Sequence, residues 1–410
     1  MKTLVEKAVQ RLWYGFPEDP IGRLISGLLS PAQHLYRMGL ERDQAARRAR
    51  RRTLPVPVIS VGNLTVGGTG KTPLVRWITR YLTDRGVSAA VLSRGYGRRV
   101  QGSAPARVDC RGPKRSLSAR YGDEPVMLAC GPEPVPVWVG RNRWEAGMEA
   151  VRQDGARVLV LDDGFQYVQL SRSLDVVVLD ARRPLGNGRL LPAGPLREPP
   201  EALRRAHVIV FMEAPFNAPS SSPPKRGSEI SSKLWTPACA GVTGGGAFGQ
   251  PPRPAEARSL MKGRDPGFHG DVEMTKGKIL LRARPVIRRF VQAATGHPVD
   301  VTTLRHQGCV AVCGIARPQR FFAALKAQGI AAKTTWIFGD HHRFRESECR
   351  KIVKSLDRLD ARWIVTTEKD AVRLPPSVLE RAVFPLLDLD FGEDGPVLAA
   401  LLDEVCSSGR

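Results

Sequence analysis

The segment VPVISVGNLTVGGTGKTPLVRWITRYLTDRG, residues 56–86, limits what this chain can become more than any other. It reads as a short β-branched strand over 56–62, a glycine-rich turn, and a helix over 72–86 with Pro73 in its first turn and Gly86 at its end. Strand, turn and helix in that order make a phosphate cradle, because backbone N–H groups converge at a helix N-terminus. In TVGGTGKT, Gly67, Gly68 and Gly70 let successive N–H groups turn inward, Lys71 neutralises phosphate oxygens, and Thr72 offers its hydroxyl to Mg2+. Thr65, Val66 and Thr69 complete the loop, with Thr65 standing where the strict G-x-x-x-x-G-K-[ST] pattern has its first glycine. The alternative is a glycine-rich turn that holds no nucleotide; the flanking strand and helix favour phosphate.

Further short apolar runs at 89–93, 157–163, 174–181 and 206–211 alternate with helical stretches. That alternation predicts an α/β fold, a P-loop NTPase-like parallel sheet with helices on both faces. The run ending in LDDGFQ places Asp162 and Asp163 at the carboxyl end of a strand. There, carboxylates can act on Mg2+ or its waters, although acidic residues at strand ends also form turns and caps.

A length of 410 residues leaves room for two cores. Residues 53–216 are read as the phosphate-binding unit and 278–405 as a second, smaller α/β domain. Between them, residues 217–277 are rich in Pro, Gly and Ser and offer no apolar face, so they are read as a disordered insertion at the junction. In residues 1–52, Ile21, Leu24, Ile25, Leu28 and Leu29 share one helical face, preceded by Trp13, Tyr14 and Phe16 and followed by Arg42, Arg47, Arg48, Arg50, Arg51 and Arg52. Such an amphipathic helix suits the headgroup region of an anionic bilayer, or else packs on the protein's own core with a solvated basic end.

The formal net charge of +23 favours an anionic partner: nucleic acid, an anionic membrane surface or a phosphorylated substrate. Aromatic and basic residues do not interleave as they do in base-stacking surfaces, which argues against nucleic acid. The seven cysteines are scattered without a C-x-x-C pair, which points to a reducing compartment and away from a zinc module. No run of 18 apolar residues and no secretory h-region is present, so the expected location is cytoplasmic.

Beyond the loop, LSRGYGR (92–98), YGDEP (121–125), VGRNR (139–143), RPLGNGRLLPAGPLREP (183–199), FGDHHRF (338–344) and TTEKDAVRL (366–374) follow in order. This series resembles the tetraacyldisaccharide 4′-kinases, the lipid A 4′-kinases of Gram-negative bacteria, over residues 1–210 and 278–400. The resemblance implies transfer of the ATP γ-phosphate to the 4′-hydroxyl of an acylated disaccharide 1-phosphate lipid, at the cytoplasmic face of the inner membrane. It implies a dyad of Asp123 and His341, His341 being preferred to His342 because it directly follows Asp340, and it makes Glu124 a metal-contacting carboxylate. A carboxylate positioned by an imidazole can take the proton of a poor sugar nucleophile. Arg94, Arg98, Arg141 and Arg143 could meet the substrate's 1-phosphate or ATP, or form a solvated basic face. Asn187 and Arg197, in the 183–199 stretch, could shape the acceptor site. No obligate protein partner is evident. The competing class is a GTPase or metal-chaperone NTPase, which needs a guanine-reading N-K-x-D; TEKD at 367–370 does not supply it.

Overall fold

The β-branched runs form the middle of one mixed α/β sheet. The structure, a computed structural model, describes residues 9, 12–14, 24–25, 27–95, 104–213 and 277–407. Phe16, Ile21, Arg98 and all but Gly277 of the expected insertion lie outside them. The chain runs through helix α1 (Ser30–Ala49), strand β1 (Val58–Gly62), α2 (Lys71–Asp84), β2 (Ala89–Ser93), β3 (Ala106–Arg107), α3 (Lys114–Tyr121) and α4 (Asp123–Cys130). Next come β4 (Val137–Val139), α5 (Arg143–Asp154), β5 (Val158–Asp162), β6 (Leu174–Asp180), β7 (Val208–Met212), β8 (Ile279–Gln292) and β9 (Pro298–Val299). The C-terminal part adds α6 (Val301–His306), β10 (Cys309–Cys313), α7 (Pro318–Ala327), β11 (Thr335–Ile337), α8 (Glu346–Arg358), β12 (Trp363–Val365), α9 (Glu368–Ala371), α10 (Pro376–Leu379), β13 (Ala382–Asp390) and α11 (Gly395–Ser407).

The strands lie in the order β11-β10-β12-β13-β8-β7-β6-β1-β5-β2-β4-β3, with β9 beside β8. Most neighbours are parallel; β8 with β13, β8 with β9 and β3 with β4 are antiparallel. Strand β8 carries the sheet across its middle: Ile279 to Ala283 pair in parallel with β7, and Arg284 to Gln292 pair antiparallel with β13. Alternate residues of the central strands enter opposite cores, as expected of a parallel sheet covered on both faces. Ile59, Val61, Val91, Val160 and Val176 meet one cluster, while Val58, Ala90, Leu92, Leu159 and Leu161 meet another. Helix α2 buries Leu74, Val75, Ile78 and Leu82 in the first cluster, which it shares with Leu398 and Leu402 of α11. Each fully buried leucine removes enough apolar surface to stabilise the fold by about 1.5–3 kcal/mol, and together these fix the axis that Lys71 begins.

Helix α1 buries none of its residues. Leu24, Ile25 and Leu28 are exposed, as are Leu35 and Met38, and Leu29 is half-buried, so most of the described apolar stripe is not packed on the protein's own core. Tyr36 docks the helix by donating its hydroxyl to the carbonyl of Arg197, 2.9 Å away. Among the described residues no helix is long and apolar enough to cross a membrane. Cysteine spacing points to a reducing compartment, yet Cys110 and Cys130 are joined by a disulfide. Folding brings the loop after β3 to the end of α4, a juxtaposition that a spacing of 20 residues does not reveal.

Candidate active site

The loop over 63–70 leaves β1 at Gly62, where the strand runs so close to Phe165 that a Cβ would lie 2.5 Å from that residue's own Cβ. Buried Asn63 holds the loop from inside, its Nδ2 donating to the Thr65 carbonyl at 2.7 Å and to Thr69 Oγ1 at 3.1 Å. From outside, Val66 N donates to the Pro195 carbonyl at 2.8 Å, so the 183–199 stretch supports the turn. Gly67 and Gly70 have φ of 113° and 90°, conformations that side chains rarely adopt. Lys71 and Thr72 then open α2.

Behind the loop, β5 delivers two carboxyls with opposed environments. Val61 pairs with Asp162 across the β1–β5 ladder. Asp162 is buried, and its Oδ1 has no hydrogen-bond partner. Burial, then the charges of Glu124 and Asp163, push its pKa up to about 8, against the pull of Lys71 and Arg143. For Asp163 burial also works against ionisation, but Lys71 and Arg197 hold its pKa down to about 2. Lys71 Nζ lies 3.3 Å from one of its oxygens and Arg197 2.9 Å from the other. Asp163 keeps a left-handed backbone, φ 53°. Adjacent carboxyls driven apart in this way mark a working site more often than a scaffold.

Helix α4 begins at Gly122, φ 101°, and carries Asp123 and Glu124 in its first turn, where the helix dipole favours negative charge. Asp123 accepts a hydrogen bond from Ser118 Oγ, and its Oδ2 lies 3.0 Å from His341 Nδ1 and 3.4 Å from Arg373 Nε. Burial alone raises the Asp123 pKa, but the hydrogen bonds of His341 and Ser118 and the Arg373 charge outweigh it and hold the carboxyl below the usual range. His341 has φ 57° and donates its backbone N–H to Asp340 Oδ1 at 3.0 Å. Its Nε2 faces Lys369 Nζ at 3.1 Å, and Lys369 in turn lies 3.8 Å from Glu124. His342 is turned away: its Nε2 sits 2.9 Å from Glu348, and its ring stacks on Phe338 with centroids 4.5 Å apart.

Among the described residues no three or more His, Cys, Asp or Glu side chains are grouped to hold a metal alone. Mg2+ typically takes one or two carboxylates, phosphate oxygens and waters, so Thr72 with one or two of Glu124, Asp162 and Asp163 would fit it, and the partnerless Asp162 Oδ1 is an acceptor suited to a cation.

Of the remaining expected residues, Arg143 and Arg197 stay beside the two carboxyls. Arg94 and Arg141 are exposed. Arg143 is buried over the ring of Tyr167, at 4.6 Å, and burial brings its pKa down to about 10, so it forms no solvated face. Asn187 braces its own loop, donating to the Ala193 carbonyl and accepting from Arg189 N. Arg197 is engaged by Asp163. Sequence reasoning missed Asn63, Ser118, Lys369 and Arg373, and also Tyr14, whose hydroxyl donates to the Val66 carbonyl at 3.2 Å and whose ring lies under Arg317. TTEKDAVRL signalled Lys369 and Arg373 only as members of a motif without a role.

A family model described as Tetraacyldisaccharide-1-P 4'-kinase, LpxK, matches residues 25–406. The chain belongs to this family. A Tetraacyldisaccharide 4'-kinase of Syntrophobacter fumaroxidans is 38% identical over 96% of this chain and 92% of its own. That of Parvibaculum lavamentivorans is 34% identical over 98% of both. The crystal structure of LpxK from Aquifex aeolicus in complex with ATP superposes with a TM-score of 0.64, at 24% identity, covering 93% of this chain and 99% of that one. This likeness establishes a mixed α/β protein with a large, mostly parallel sheet.

Proposed function

We propose that this kinase transfers the γ-phosphate of ATP to the 4′-hydroxyl of tetraacyldisaccharide 1-phosphate, the reaction of its family in lipid A synthesis. The observation that carries the mechanism is the Asp123 carboxylate, held charged by His341, Arg373 and Ser118 on the helix turn that also bears Glu124. The architecture is P-loop NTPase-like over 53–216, with residues 278–405 forming the second unit that brings in His341.

In this reading the 63–72 loop and Lys71 grip the triphosphate, and Asp163, itself paired with Arg197, holds Lys71 in place. The acceptor oxygen attacks the γ-phosphorus, the bond to the β–γ bridging oxygen breaks, ADP leaves, and the hydroxyl proton passes to Asp123. Mg2+ would be held by Thr72 with one or two of Glu124, Asp162 and Asp163, and would supply charge neutralisation at the phosphates. Because the acceptor's acyl chains stay in the bilayer, the exposed Leu24, Leu28, Leu35 and Met38 would meet an anionic surface, peripherally, at the cytoplasmic face of the inner membrane. Neither nucleic acid nor an obligate protein partner enters the reaction.

The test is Asp123→Ala in the full chain, given labelled ATP and the disaccharide 1-phosphate. Label on the glycolipid should fall about a hundredfold or more while ATP binding persists. Normal turnover would remove Asp123 from the chemistry, and phosphate release without labelled lipid in the unmutated protein would favour the NTPase alternative.

A further inference from the structure

Both ring nitrogens of His341 face charged groups: Nδ1 lies 3.0 Å from Asp123 Oδ2 and Nε2 lies 3.1 Å from Lys369 Nζ. An ammonium group has three donors and no acceptor. A hydrogen bond from Lys369 therefore requires a lone pair on Nε2, and the single ring proton must sit on Nδ1, aimed at the carboxylate. The other tautomer sets N–H against ammonium on one side and lone pair against carboxylate on the other. A second ring proton meets the same ammonium.

Lys369 is held for this task from several directions. Its neighbour Glu368 takes two hydrogen bonds from Arg76 of α2, at 2.6 and 2.9 Å, the helix that begins with Lys71. On the other side, buried Asp370 accepts from Gly314 N at 3.0 Å, and the Lys369 carbonyl accepts from Arg373 Nε, also at 3.0 Å. Glu124 at 3.8 Å and Asp340 at 4.0 Å offset the ammonium's charge. The segment 368–373 thus ties the nucleotide-loop helix to the histidine.

We propose that Lys369 is a positioning residue that holds the His341 ring with Nε2 toward its ammonium and Nδ1–H toward Asp123, so that the ring donates to the carboxylate that receives the acceptor's proton. The inference rests on the phosphoryl-transfer reading above and adds a role that Asp123 and His341 alone do not supply. Holding a histidine in one tautomer is what an orienting partner contributes in other acid–base sites.

The experiment is steady-state kinetics on the full-length protein carrying Lys369→Met, Lys369→Arg, His341→Ala, and Lys369→Met with His341→Ala. Lys369→Met should lower kcat about tenfold or more with KM for ATP changed less than about twofold. Lys369→Arg should recover most of the loss, because guanidinium also lacks an acceptor. In the His341→Ala background Lys369→Met should have no further effect, because the two act as one unit. A raised KM for ATP at unchanged kcat would make Lys369 a phosphate contact and overturn the proposal, as would an undiminished loss in the His341→Ala background. Should Lys369→Met not fold, 15N spectra of histidine-labelled wild type decide: a protonated Nδ1 with a bare Nε2 at His341 supports the assignment, and the reverse sinks it. An inactive Asp123→Ala beside a fully active Lys369→Met would reject this inference alone; an active Asp123→Ala would reject the phosphoryl-transfer reading beneath it.

Discussion

Breaking the ion pair between Arg76 and Glu368 should cost more than any exposed pair in the molecule, and the two ways of breaking it should differ. The side chains are only 5% and 10% exposed and share hydrogen bonds of 2.6 and 2.9 Å. Removing one partner of such a pair leaves a desolvated charge, at about 3–5 kcal/mol. Glu368→Gln strands a guanidinium that cannot shed its proton and whose Nε already lacks a hydrogen-bond partner, which places it near the top of that range. Arg76→Met strands a carboxylate that still feels the charge of Lys114, so about 3 kcal/mol is expected. Replacing both residues with Met should cost less than the sum of the single changes, since no charge is left alone. Urea unfolding followed by tryptophan fluorescence, extrapolated linearly to water, measures all three variants. Single losses under about 1 kcal/mol, the range of surface pairs, would refute the reasoning, as would strict additivity in the double variant.

Two further outcomes follow from the same physics. At Asp180 burial opposes ionisation, but the charge of Arg320 and the hydrogen bond from Arg317 prevail and hold its pKa below the ordinary 3.8. A lowered folded pKa stabilises above 3.8 and is lost as pH falls through the folded value, so Asp180→Asn should be destabilised at neutral pH and converge on wild type in acid, read from urea midpoints; a pH-independent gap would contradict this. Changing Leu24, Leu28 and Leu35 together to Ser should reduce sedimentation with phosphatidylglycerol vesicles at little cost in stability, because all three are exposed. Unchanged sedimentation would move the membrane contact elsewhere.

Legibility in the sequence followed the range of the forces involved. The strands around β1 and the loop at 65–72 are local patterns, and the run at 89–93 is the strand Ala89–Ser93 itself. Strand β8 hides because its alternation is interrupted by Arg282, Arg284, Arg288 and Arg289, whose partners are far away: Glu133 for Arg288, Glu213 for Arg284. His341 and His342 look equivalent as neighbours. The family motif prefers His341 as the residue after Asp340, and the physical reason comes with folding, when Phe338 and Phe344 close on the second ring and leave the first to turn toward Asp123. Lys369 and Arg373 carry no signature of their own, since their contacts join residues more than 200 positions apart, Glu124 and Asp123.

The left-handed backbone at Asp163 and His341 has a consequence for anyone evolving this enzyme. Glycine relieves such a conformation by roughly 1–2 kcal/mol, so a screen rewarding heat resistance alone would drift toward glycine at His341, whereas at Asp163 the lost ion pairs with Lys71 and Arg197 outweigh that gain. A protein with glycine at His341 would melt later and, on the proposed dyad, lose phosphoryl transfer, which makes this the site a thermostability library must freeze.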